Sequence, residues 1–168
     1  MPTKSYIVDR VLHWSGALLL LFMLMNLSTQ LHNVDWDIKG QLEHRQDAVE
    51  THALIGGLLV LVTLFRIVFP YLTKTKLPRV VPKSPKHGLF IHVTHLAMYL
   101  CIFLLVVTGI GMVNHYEIPL SVYGFELAPN RDDFYAIFPD FHYWHMLFKQ
   151  TIWWLIGIHF VGIMYAKR

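Results

Sequence analysis

Four apolar runs, residues 11–27, 53–72, 89–113 and 144–165, dominate this chain and leave it few folds. Each is long enough to cross a hydrocarbon core about 30 Å thick as a helix of roughly 20 residues. The expected architecture is all-α: an integral membrane four-helix bundle, with helices over about 6–28, 46–72, 88–113 and 142–166. Four spans within 168 residues leave little chain for anything else, so one transmembrane domain over residues 1–168 is expected.

Composition agrees. Only 15% of residues are charged, against about 25% in soluble domains. The net charge of +3 looks like a nucleic-acid signal, but in a membrane chain it reflects loop asymmetry. No glycine pattern for a dinucleotide or a phosphate loop is present. Lys4 and Arg10 precede the first apolar run as they would in a signal peptide. No small-residue cleavage pattern follows at residues 25–30, so this run is expected to remain as a helix. Cys101 is the lone cysteine, which excludes an intrachain disulfide.

The basic residues set the expected orientation. Lys4, Arg10, Arg66, Lys74, Lys76, Arg79, Lys83, Lys86, Lys167 and Arg168 flank one side of the spans; Lys39, Arg45, Arg131 and Lys149 flank the other. By the positive-inside rule both termini are expected to face the cytoplasm. Ten of the eleven acids then lie outside, Asp9 being the exception. The second outer connection, residues 115–143, is rich in prolines and aromatics and is expected to form a short amphipathic cap on the membrane surface.

The histidines carry the chemistry. His145 and His159 lie 159 − 145 = 14 residues apart in the stretch WHMLFKQTIWWLIGIH. Fourteen residues turn a helix about 1400°, within about 40° of four full turns, and advance it about 21 Å. One face of one helix therefore offers an imidazole near each membrane surface, as two stacked haems require. The alternative is a pair of histidines hydrogen-bonded inside a bundle. Two further histidines favour the haems. His13 lies at the inner depth of His159, and His52 at the outer depth of His145. Histidine in a membrane helix is costly to bury and marks a functional site. Two imidazoles per iron leave no open coordination position, which suits single-electron transfer. No C-x-x-C-H motif is present, so the haems are expected to be non-covalently held b-type groups.

In four stretches the chain resembles the bacterial cytochrome b561 family of four-helix di-haem proteins. These are VLHWSG (11–16), THALIGGLLVLVTLFR (51–66), IHVTHLAMYL (91–100) with TGIGM (108–112), and WHMLFKQTIWWLIGIH (144–159). The resemblance implies that His13 and His159 ligate the inner haem, and that His52 and His145 ligate the outer one. It also implies a multi-pass protein of the bacterial inner membrane, and oxidation of superoxide on the outer side with ubiquinone as electron acceptor. A second use of this ligand pattern is a haem-bearing membrane anchor that relays electrons between a partner dehydrogenase or hydrogenase and the quinone pool.

Other residues have expected supporting roles. Gly16 and Gly56 lie one turn after His13 and His52, where they leave room for a haem ring or for a neighbouring helix. Arg66 lies 66 − 52 = 14 residues after His52, on the same face at the inner end. Arg66 and Arg10 are expected to hold the inner haem propionates, a bidentate task that suits guanidinium, unless they only snorkel to the surface. His92 and His95, near the inner depth, are candidates for a quinone or proton site, and His95 is a rival to His13 as ligand. Lys149, four residues after His145, is placed to steer an anion or hold an outer propionate. His32, His44, His87, His115 and His142 are expected to be solvated.

Overall fold

The structure, a computed structural model, describes residues 4–32, 41–73 and 81–167, with side chains of the first helix described to residue 25. Four long helices dominate: α1 (Lys4–His32), α2 (Gln41–Thr73), α3 (Pro85–Asn114) and α5 (Phe138–Lys167). Between α3 and α5 lie two strands, β1 (Leu120–Val122) and β2 (Phe125–Leu127), and a short helix, α4 (Arg131–Ala136). All four long helices contain stretches apolar enough to span a membrane. Their large side chains point outward: Trp154 is 70% exposed and Phe65 64%. In water such a surface would drive association; against lipid it costs nothing.

Local signals explain the helix ends. Ser84 caps α3, its hydroxyl accepting from the His87 N–H at 3.2 Å, and Pro85 fills the first position, where no N–H is needed. Asn130 caps α4 by accepting from the Asp133 N–H at 3.1 Å. Pro70 lies inside α2, which runs on to Thr73. Proline removes only the bond to the carbonyl four residues back, and Thr73 donates its hydroxyl to Phe69 O at 3.0 Å.

The helices pack as two pairs, α1 on α2 and α3 on α5, with sparser contact between pairs. The pairs meet in a central apolar layer of Leu20 and Leu24 (α1), Leu59 (α2), Cys101 (α3) and Ile152 (α5). Ile152 is 0% exposed and lies seven residues from both His145 and His159. The layer therefore sits midway between the two histidine depths.

The second outer connection is more ordered than an amphipathic surface cap. Its two strands form a hairpin, with Leu120 opposite Leu127, turning at Tyr123 (φ 55°) and Gly124 (φ 81°). Both turn residues are left-handed, as a tight hairpin demands. Tyr116, Ile118 and Leu120 form a second core with Val49, Phe134 and Phe138. Polar bonds fasten the segment to α2. Gln46 donates to Pro119 O at 2.7 Å, Ser121 N–H to Glu50 at 2.6 Å, and the Tyr123 hydroxyl lies 2.9 Å from Leu54 O. A side chain at Gly57 would collide with the Tyr123 hydroxyl. Arg45 is buried beneath the segment, paired with Glu117 and 3.2 Å from the Tyr116 hydroxyl.

Candidate functional site

The structure brings the four histidines together in two pairs. His13 of α1 faces His159 of α5 with ring centres 6.3 Å apart and planes at 65°. His52 of α2 faces His145 of α5 with the same spacing, 6.3 Å, and the same angle, 65°. A metal–imidazole bond of about 2 Å on either side of an iron, plus about 1.15 Å from each nitrogen to its ring centre, puts opposed axial imidazoles about 6.3 Å apart. Both pairs have that spacing. The hydrogen-bonded alternative fits poorly, because Nδ1 of His13 and of His52 is buried with no hydrogen-bond partner among the described residues.

His145 is held differently. Its Nδ1 lies 2.9 Å from the hydroxyl of Thr108, a buried residue of α3. Gly109 lies beside it, where a Cβ would stand 3.6 Å from the ring.

The cations sort by depth. Arg66 is within electrostatic reach of both inner histidines, His13 and His159. Lys149 stands in the same relation to the outer pair, His52 and His145. Arg10 is near His13, but two of its donors, Nε at 3.1 Å and Nη2, are directed at Asp9, a carboxylate only 1% exposed. Gly16 and Gly56 face their partner helices: a Cβ on Gly16 would lie 3.6 Å from Val62, and one on Gly56 3.2 Å from Met23.

His92 and His95 part company. His92 is exposed, whereas His95 turns inward, its ring centre 4.9 Å from that of His159. Two histidines expected to be solvated are not. His87 is 6% exposed, because its Nδ1 accepts from the Lys83 N–H at 3.2 Å and its Nε2 donates to Gly162 O at 3.3 Å. His115 is half-buried, 3.2 Å from Asp133 and stacked on Phe141. His44 and His142 are exposed; the side chain of His32 lies outside the described residues.

Residues 6–168 match a protein-family model described as prokaryotic cytochrome b561. The chain belongs to the prokaryotic cytochrome b561 family. It is therefore a multi-pass bacterial membrane protein of b-type haem electron transfer. No curated protein and no solved structure matched the chain. Family membership explains why imidazoles occupy an apolar bundle, and the paired rings are the donor set such a group needs.

Sequence reasoning missed Thr108, Arg45 and His87. Thr108 alone had a legible signal, the 14-residue register it shares with Thr94 on α3.

Proposed function

We propose that this chain is a di-haem cytochrome that takes single electrons from superoxide at the outer surface and delivers them to ubiquinone. The observation that carries this reading is the pair of matched histidine couples, 14 residues apart on one face of α5. In it His52 and His145 hold an outer haem, and His13 and His159 an inner one. Haem held between two imidazoles would supply one-electron exchange. The remaining work falls to the protein. Arg66, and Arg10 with the donors not directed at Asp9, anchor the inner propionates. Gly16 and Gly56 let helices and ring approach closely. The α2-fastened hairpin limits water at the outer depth. Lys149 draws the anion toward the outer pair. Two superoxide anions each lose one electron and leave as oxygen; ubiquinone gains two electrons and two protons to become the quinol.

On the inner side, Tyr6, Arg10, Trp14 and Leu18 share one face of α1, and Trp14 stands beside His13, with ring centres 5.5 Å apart.

The test is direct. The purified chain should contain two haems, be reduced by superoxide and be reoxidised by a ubiquinone analogue. Wild-type haems that superoxide leaves oxidised would remove the enzyme reading. The anchor-subunit reading would then stand, and one observation favours it: Glu43, Asp47, Glu126, Asp132 and Asp140 are exposed at the outer end, where they repel an anion but suit a protein partner.

Two variants separate the roles of the cations. Lys149→Gln should slow reduction by superoxide about three- to tenfold at low salt and leave a neutral donor unaffected, and added salt should erase the difference. Equal slowing of both donors would remove the steering role. Arg66→Gln should keep both haems and lower the inner midpoint potential alone, because losing a nearby positive charge favours the oxidised iron. A shift confined to the outer haem would contradict its placement.

A further inference from the structure

The spacing that separates His145 from His159 recurs on the helix packed against them. On α3, residues 93–95 read Val-Thr-His and residues 107–109 read Val-Thr-Gly, 14 positions apart. Both threonines are buried and do the same thing: Thr94 donates to Phe90 O at 2.8 Å and Thr108 to Leu104 O at 2.8 Å. The third positions differ. At the outer level Gly109 leaves the imidazole of His145 against α3. At the inner level His95 stands there, its ring 4.9 Å from that of His159.

Proton counting fixes what Thr108 does. A hydroxyl has one proton. That of Thr108 is directed at helix carbonyls, 2.8 Å from Leu104 O and 3.1 Å from Leu105 O. Its lone pairs then face Nδ1 of His145 at 2.9 Å, which suits the tautomer with the ring proton on Nδ1. Nε2 is left with the lone pair. Among the described residues Thr94 makes no such bond to His159, and Nδ1 of His13 and of His52 has no partner.

We infer that Thr108 is a positioning residue for the outer centre: its hydroxyl locks His145 in the tautomer with Nε2 available to iron and lowers the outer midpoint potential relative to a ring without that bond. An imidazole that gives its N–H to an acceptor is the more basic ligand and favours the oxidised metal. The device acts at one level only, so it biases the electron away from the outer centre. This inference rests on the di-haem reading proposed above.

The experiment is a redox titration of the purified holoprotein, followed in the visible spectrum, for wild type, Thr108→Val, Thr108→Ser and Thr108→Cys. Valine keeps the shape and removes the acceptor. In Thr108→Val the outer oxidised-to-reduced ratio at fixed potential should fall about threefold, a rise of about 28 mV for a one-electron couple. The inner midpoint should stay in place, and Thr108→Ser should restore the wild-type value. Two retained haems with unchanged midpoints, or equal shifts of both, would overturn the assignment. If Thr108→Val loses the outer haem, Thr108→Cys decides. Sulfur is a weak acceptor, so the outer midpoint should rise above wild type; a wild-type midpoint would again overturn it. A wild-type haem count below two would instead defeat the di-haem reading.

Discussion

His52→Ala and His145→Ala will each remove the same one of two haems, while His13→Ala and His159→Ala will each remove the other. A haem count and a redox titration of the four proteins check this: within each pair one midpoint vanishes and the same one survives. The expected effect is large because, in the proposed di-haem reading, each imidazole is a bond to iron, and among the described residues no neighbouring histidine is placed to replace one at the outer pair. At the inner pair His95 is the rival. Its ring centre is 4.9 Å from that of His159, too close for an iron between them, whereas His13 stands at 6.3 Å. His95→Ala should therefore retain both haems. Loss of a haem there, with both kept in His13→Ala, would reverse the assignment on α1.

Arg45→Ala should release the outer hairpin from α2 without unfolding the bundle. The guanidinium is buried between Glu117 and Tyr116, 5.2 Å from the centre of the Tyr116 ring. A hydrogen bond to a charged group contributes about 1.5–3 kcal/mol and a cation–π contact about 0.5–2 kcal/mol. Glu117 is partly exposed and can rehydrate, so a local loss of about 2–3 kcal/mol is the reasonable sum. Each 1.4 kcal/mol is about tenfold, so amide exchange over residues 118–127 should speed up about 30- to 140-fold. Exchange in the middle of α3 should not change. Unaltered exchange in the hairpin would show that Gln46, Glu50 and Tyr123 hold it without Arg45.

The depth pairing of His13 with His159 and of His52 with His145 was legible because helix rise and apolar run length turn residue number into height. The spans were legible for the same reason. What sequence could not give were contacts made across the fold. Arg45 is a surface charge until Tyr116, 71 residues later, covers it. His87 looks like a loop residue beside prolines, yet it becomes a bridge once Gly162 of α5 arrives opposite it. The outer connection has no helical or strand period long enough to recognise, and its order comes from α2 beneath it. Thr108 shows a 14-residue register with Thr94, but in an apolar helix donation to the preceding turn is the ordinary explanation for a hydroxyl.

The apolar layer around Ile152 has an electrical consequence. With the termini in the cytoplasm, as the positive-inside rule predicts, an electron passing from the depth of His145 to that of His159 moves about 21 Å along α5. That is about two-thirds of a core about 30 Å thick. The layer offers no titratable group and no polar side chain except a thiol, so charge crosses it as electrons unaccompanied by protons. Each transfer is then a net displacement of charge against a voltage that is negative inside, costing about 1.5 kcal/mol per 100 mV. Turnover in sealed vesicles should accordingly quicken when an ionophore collapses the voltage, making the bundle a load on the energised membrane as well as a conductor through it.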